Sequence, residues 1–188
     1  MKILWLLIAL VWIFAISELI LTLVKRSRIS RVKRRNDRGS LILIWFAIPI
    51  SLQVGFNLGR YDNWNTYNYL LAISGCLVYI AGMVLRWLSI IQLRESFTVD
   101  VAVSKKQELK TDGLYRFVRH PSYTGIILIL AGLSLGMNNI LSAAIIIIPA
   151  FLAILYRIKV EEKILIDEFG GRYLNYAEKT KKLIPYLF

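Results

Sequence analysis

Apolar residues fall along this chain in long blocks divided by polar, mostly basic segments. Ile3 to Val24 is broken only by Ser17, Glu18 and Thr22, and it exceeds the roughly 20 residues needed to cross a bilayer. A secretory signal is the rival reading. Its apolar core runs about 7–15 residues before a small-residue cleavage site, whereas this block is longer and leads into a basic segment. It reads as a retained span. Leu41 to Leu58, with Pro49 inside it, and Tyr69 to Ile91 make the second and third spans. Tyr123 to Gly136 and Ile140 to Tyr156 predict two more apolar helices, joined by Met137-Asn138-Asn139. The first of these is short, so its helix is expected to start near Pro121, a residue suited to a first helical turn. Gly132 and Gly136, four apart, allow close helix contact. The fold class predicted is an all-α integral membrane protein with five transmembrane helices.

The polar segments orient those spans. Lys25 to Arg38 holds eight basic residues against one acid, Asp37, which puts this loop in the cytoplasm and the N-terminus outside. With five spans the C-terminus lies inside. Arg60 to Asn68, with Tyr61, Trp64 and Tyr67, suits an interface belt. Arg94 to Ser122 holds no apolar run long enough to cross; Phe97 to Val103 alternates weakly as an extended stretch, and Lys105 to Asp112 reads as a loop. From Arg157 the pattern turns amphipathic, mixing Ile158, Ile164, Leu165 and Phe169 with Glu161, Glu162, Lys163, Asp167 and Glu168, until Gly170-Gly171 stops the helix. A tail carrying Tyr173, Tyr176, Leu183, Pro185 and Tyr186 is expected to lie at the interface. The chain divides into a three-span region, residues 1–92, and a region 93–188 that carries the polar clusters. A bacterial or archaeal inner membrane is expected ahead of the endoplasmic reticulum.

Composition changes the picture in two places. A net charge of +12 on 188 residues invites a nucleic-acid reading. Yet the basic residues sit between apolar runs and almost never inside them, as in cytoplasmic loops that also attract anionic lipid headgroups. Membrane lipids are the expected partner, and nucleic acid is not. A lone cysteine, Cys76, and a lone histidine, His120, leave no material for an intrachain disulfide or a His/Cys metal cluster, and no metal is expected.

Two polar clusters flank the last apolar hairpin. Gly113 to Gly125 reads Gly-Leu-Tyr-Arg-Phe-Val-Arg-His-Pro-Ser-Tyr-Thr-Gly, and Arg157, Glu161 and Glu162 follow the final span. If the hairpin folds back on itself, the clusters meet at one membrane surface. The bland reading of the first is an interfacial anchor, with Arg119, His120, Tyr115 and Tyr123 at headgroup depth. The bland reading of the second is a surface ion pair, since Arg157 and Glu161 share a helix face. Charges directly after a long apolar stretch, however, usually face a cavity or a partner. Glu18 and Arg86 lie inside spans at similar depth, roughly 9 Å from the cytoplasmic ends at 1.5 Å per residue. They form either a structural pair or part of a substrate path.

Gly113-Leu114-Tyr115, Arg119-His120-Pro121-Ser122-Tyr123-Thr124-Gly125, Arg157, Glu161-Glu162, Phe169-Gly170, Tyr173 and Tyr176 together resemble the C-terminal signature of the isoprenylcysteine carboxyl methyltransferase family. That signature is shared with phospholipid N-methyltransferases, and the resemblance runs from about Phe97 to Pro185. It implies an integral membrane enzyme that uses S-adenosylmethionine without a Rossmann domain, on a lipophilic acceptor entering from the bilayer. By position, the resemblance assigns Tyr115, His120, Pro121, Ser122, Tyr123 and Glu161 to a cofactor pocket. Gln107, Glu108, Leu109 and Lys110 would close it, although this loop departs from the family's usual His-x-Leu-Val. Arg157 would face the acceptor. A carboxylate acceptor is already ionised and needs no base; an amine or thiol would want one, for which Glu162 and His120 are the nearby candidates. The expected function is O-methylation of an isoprenylcysteine-like carboxylate. Methylation of a phospholipid amine or hydroxylated lipid, or a non-enzymatic membrane role, are the alternatives.

Overall fold

The computed structural model describes residues 2–25, 38–59, 68–93 and 109–185. The interior of the basic loop, the linker before Asn68, Phe97 to Val103, and Gln107 and Glu108 lie outside the described residues. The elements in order are α1 (Lys2–Lys25), α2 (Arg38–Gly59), α3 (Tyr69–Leu93), a single 3-10 turn (Gly113–Arg116), α4 (Pro121–Met137), α5 (Ile140–Phe169) and α6 (Gly171–Lys179). The helices that the apolar blocks predict all form. Three stretches, Trp5–Leu23, Tyr69–Leu93 and Ile140–Phe169, are long and apolar enough to cross a membrane by length and composition; Ile42–Leu58 and Pro121–Met137 are shorter apolar helices. Large side chains such as Trp5 (70% exposed) and Ile140 (91% exposed) point outward, where acyl chains rather than water would be their match. This is a membrane-embedded helical protein.

Local chemistry explains the breaks. Asn138 adopts the left-handed conformation at the end of α4, and the Asn139 side chain accepts from Ser142 N at 2.7 Å to cap α5. The Asn68 side chain does the same for α3, accepting from Leu70 N at 3.0 Å. Gly170, at φ 55, ends α5.

Glycine sets how closely the helices approach. A Cβ on Gly75 would stand 2.6 Å from the Gly132 carbonyl oxygen, and one on Gly82 would stand 2.7 Å from that of Gly125. α3 and α4 are therefore packed backbone to backbone, and Gly132 and Gly136 do lie on the contact face. Gly55 brings α2 equally close to Ile146 of α5. The Tyr79 hydroxyl of α3 donates to the Leu10 carbonyl of α1 at 3.0 Å. Between these pairs, Ile126 and Leu130 of α4 and Ile146, Ala150, Ile154 and Ile158 of α5 form a buried core, with Ile48 and Leu52 of α2 against it.

α5 does not stop where its apolar part stops. Its 30 residues run as one helix of about 45 Å, longer than the roughly 30 Å hydrocarbon core. It therefore carries Arg157 to Phe169 beyond the apolar block. In the tail, residues 171–179 turn back as α6 and residues 180–183 run parallel beside 118–120. The backbone explains this. The N–H groups of Arg119 and His120 precede a proline-led helix and need acceptors, which they find at Lys181 O (2.8 Å) and Lys182 O (3.0 Å). The Arg119 side chain then takes the carbonyls of Ala177 and Thr180, and the Thr124 hydroxyl takes that of Leu183.

Two outcomes follow from this packing. Gly82→Val forces α3 off α4 and should lower stability by about 1–3 kcal/mol, the usual cost of overpacking. Gly39→Ala, where a Cβ meets nothing within 4 Å, is the control, and thermal unfolding of purified protein is the measurement. Equal midpoints would mean the seam is loose. Arg119→Ala removes one side of a largely buried pair, a change costing about 3 kcal/mol or more. Amide hydrogen exchange across residues 171–183 should then speed up by about two decades at 1.4 kcal/mol per decade; unchanged protection there would show that the tail is held by something else.

Candidate active site

The hairpin folds back as the spacing requires, and the two polar clusters meet. Pro121 starts α4, leaving His120 just before the helix with its ring buried. From α5, Arg157 and Glu161 project one turn apart, and Arg157 Nε approaches Glu161 Oε1 at 3.2 Å. The Tyr123 hydroxyl donates to the same Oε1 at 2.5 Å and accepts from Arg157 Nε at 3.2 Å. His120 stands between the two carboxylates, Nδ1 3.6 Å from Glu161 Oε2 and Nε2 3.5 Å from Glu162 Oε1. Neither distance is a good hydrogen bond, and Nε2 is buried without a hydrogen-bond partner among the described residues. A buried polar atom in that state is a place where a ligand atom is missing or a cost is carried.

Glu162 anchors the other side. It accepts from Arg119 Nε at 2.9 Å, lies 3.4 Å from Lys182 Nζ, and receives the Tyr173 hydroxyl at 3.4 Å. Burial alone would push its carboxyl up, but His120 and Arg119 outweigh burial and hold it down at about 2, against an ordinary 4.5. A depressed acid contributes stability that is present above its unfolded value and lost only as pH falls through the folded one. Glu162 is therefore an anion through the whole neutral range. Bound in this way it is a poor proton acceptor, which argues against its use as a base.

Aromatic groups roof the cluster. The Tyr176 hydroxyl of α6 donates to Tyr115 O at 2.6 Å, and the Tyr115 hydroxyl reaches Ser89 O at 3.3 Å. Burial pushes the Tyr176 phenol up to about 12, so it stays a neutral donor. Gln92 of α3 receives Leu114 N at 2.9 Å, and Gly113, at φ 61, makes the turn that allows it. Leu109 packs with Phe169 and Tyr173.

Not every residue named from the sequence sits in this cluster. The Ser122 hydroxyl turns to Arg86, accepting from Nη1 at 2.8 Å. Arg86 in turn grips both oxygens of Glu18, at 2.5 and 2.6 Å, so the two intramembrane charges form the structural pair and tie α1 to the start of α4. Lys110 pairs with Asp112 at 2.8 Å. Gln107 and Glu108 lie outside the described residues. Other participants are ones the sequence reading did not assign. Arg119 was visible beside His120 but carried no role; Lys182 and Thr180 lay in the tail. Ser40 of α2, which accepts from Arg157 Nη1 at 2.9 Å, offers no sequence signal at all.

Residues 74–167, half of the chain, match the isoprenylcysteine carboxyl methyltransferase (ICMT) family. Protein-S-isoprenylcysteine O-methyltransferase B of Arabidopsis thaliana is 28% identical over 150 residues, covering 79% of this chain and 74% of its own. The protein-S-isoprenylcysteine O-methyltransferase of Saccharomyces cerevisiae is 34% identical over 120 residues, covering 63% of this chain and 50% of its own. Methanethiol S-methyltransferase 1 of Bradyrhizobium diazoefficiens is 35% identical over 156 residues, 78% of this chain and 50% of its own. The chain thus spans from about half to three quarters of the length of these relatives. A solved structure of the eukaryotic intramembrane Ras methyltransferase ICMT matches 99% of this chain and 67% of its own, with a TM-score of 0.65 and 25% identity. Half the sequence and nearly the whole fold agree: the chain belongs to the isoprenylcysteine carboxyl methyltransferase family and is a membrane methyltransferase.

Proposed function

We propose that this protein transfers a methyl group from S-adenosylmethionine to the carboxylate of an isoprenylcysteine or similar lipophilic acceptor. The observation that carries the reading is the convergence of His120, Glu161 and Arg157 where apolar helices end. The donor set fits the methyl donor, which combines an ammonium, a carboxylate and a sulfonium. Glu161 would hold the ammonium, and His120 Nε2, 3.5 Å from Glu162 Oε1, would meet the carboxylate. Tyr115, Tyr123, Pro121 and Leu109 supply apolar wall, with Ser122 bracing the start of α4. When bound, S-adenosylmethionine supplies the electrophilic methyl.

The work left to the protein is electrostatic and positional. An anionic acceptor would be drawn to the Arg157 guanidinium, which stands beside Glu161. The acceptor carboxylate is ionised at neutral pH, so orientation and exclusion of water replace a proton-transfer step. A thiol acceptor is the second reading, favoured by the relative named for methanethiol. There a base would be wanted, for which His120 and Glu162 are the groups at hand.

The orientation rests on charge. The eight basic residues from Lys25 to Arg38 favour a cytoplasmic loop, an outside N-terminus and a site on the inner face. α2 lies along α5 and α4 along α3, which supports five crossings despite the shorter apolar lengths of α2 and α4. A bacterial or archaeal inner membrane is the setting proposed.

Glu161→Gln keeps shape and removes the charge. A charge-assisted bond contributes about 1.5–3 kcal/mol, so affinity for S-adenosylmethionine, read by isothermal titration, should fall by about ten- to over a hundredfold. Unchanged affinity in a folded variant would remove Glu161 from the pocket. Arg157→Ala should lose more than tenfold in kcat/KM for a prenylcysteine acceptor while cofactor affinity stays near wild type. Arg157→Lys should also be poor, because an ammonium cannot copy the planar fork. Normal turnover by Arg157→Ala would favour the thiol or another neutral acceptor.

A further inference from the structure

We propose that residues 180–183 are a strap whose release admits S-adenosylmethionine to the site and whose return encloses it. The inference rests on the cofactor reading proposed above. The strap lies outside the family-matched residues 74–167, so family membership assigns it nothing. The need for a moving part comes from burial. His120 and Tyr115, both proposed to meet the cofactor, are each only 6% exposed. Some of the surrounding chain must shift before a ligand can lie against both rings.

The strap is the part of the cover whose attachments suit it to come away. It runs beside the entry to α4, where Lys181 O accepts from Arg119 N at 2.8 Å and Lys182 O accepts from His120 N at 3.0 Å. Lys182 Nζ lies 3.4 Å from Glu162 Oε2. Thr180 O takes the Arg119 side chain, and Leu183 O takes the Thr124 hydroxyl at 2.7 Å. Leu183 is the one apolar residue of the four, and it is buried at 1% exposure in the core with Ile126, Leu130, Ile154 and Ile158. Lys181 is exposed, and the run belongs to no helix. α4 and α5, by contrast, are packed along their length, through glycine backbones on α3 and through the shared core. Moving either helix breaks that seam, whereas moving the strap withdraws one leucine and breaks a short set of polar contacts. Segments held in this way open locally at far lower cost than the fold as a whole. Opening also strands no carboxylate at Glu162, which keeps Arg119 Nε at 2.9 Å when Lys182 leaves. The amides of Arg119 and His120 lose their acceptors with the strap, so their hydrogen exchange reads its opening.

Thr124→Val, which removes the hydroxyl and keeps the shape, tests this in the full chain in lipid nanodiscs. Losing one hydrogen bond should raise strap opening by about two- to tenfold. Rapid filtration with radiolabelled S-adenosylmethionine should show association faster by that factor. Exchange of the Arg119 and His120 amides, without added cofactor, should accelerate by the same factor. A gate speeds entry and exit together, so the dissociation constant should stay near wild type. Thr124→Ser, which retains the hydroxyl, should match wild type in every readout. If Thr124→Val yields no folded protein, Leu183→Val, one methylene shorter in the core, takes its place with the same expectations. Wild-type association in the loosened variant overturns the proposal, whatever the amides do. Faster association without faster exchange at Arg119 and His120 would place the moving part elsewhere and overturn it too. Faster dissociation alone, with weaker binding, would make the strap pocket wall rather than gate. A wild-type protein that binds no S-adenosylmethionine would overturn the cofactor reading itself, and the gate with it.

Discussion

Charge pairing inside an apolar bundle is the constraint on which this structure depends. Arg86 with Glu18, Arg157 with Glu161 and Arg119 with Glu162 each set a nearly enclosed guanidinium against a partly buried carboxylate. A buried charge without its partner costs several kcal/mol, so each pair restricts which helix arrangements are tolerable. The first joins α1 to α3 and, through Ser122, to the start of α4. The third joins the entry to α4 with the far end of α5. The second lies within α5 but is closed by Tyr123 from α4 and Ser40 from α2. The same helix arrangement that makes these pairs places His120 between the two glutamates.

Close backbone packing makes that arrangement possible. Glycines at 75, 82, 125 and 132 let α3 and α4 touch along their length, which fixes the first turn of α4 against Arg86 and leaves His120 facing α5. α5 extends past its apolar stretch, and its charged turn stands where α4 begins. The tail completes the enclosure, since Arg119 binds the end of α6 and the Arg119–His120 backbone pairs with residues 181–182. The same arginine thus closes the roof and pairs with Glu162, while Glu161 is held by Tyr123 and Arg157.

Much of this was legible in the sequence, and the reason is physical. Long apolar blocks admit few structures in lipid, so the helices and the hairpin follow from block length. Arg157 and Glu161 share a face because they are four apart, and Glu18 and Arg86 pair because their depths agree. The pairing of the tail with residues 118–120 was not legible, because it is long-range backbone chemistry, for which aromatic content is no guide. Ser40 was invisible for a similar reason: a serine at the edge of a span has no pattern, and only the packing of α2 on α5 brings it to Arg157. Ser122 shows the converse. Its place in the motif suggested a pocket residue, and the pattern gave no sign that its hydroxyl would accept from Arg86.

The central claim is that S-adenosylmethionine binds where the start of α4 meets the charged turn of α5. Ultraviolet cross-linking of the radiolabelled cofactor to the purified chain, followed by peptide mapping, tests it most directly. Label is predicted in the peptides spanning residues 113–125 and 157–176, with excess unlabelled cofactor abolishing it. Saturable label confined to the apolar parts of α1, α2 or α3, or no saturable label in either predicted peptide, would contradict the account.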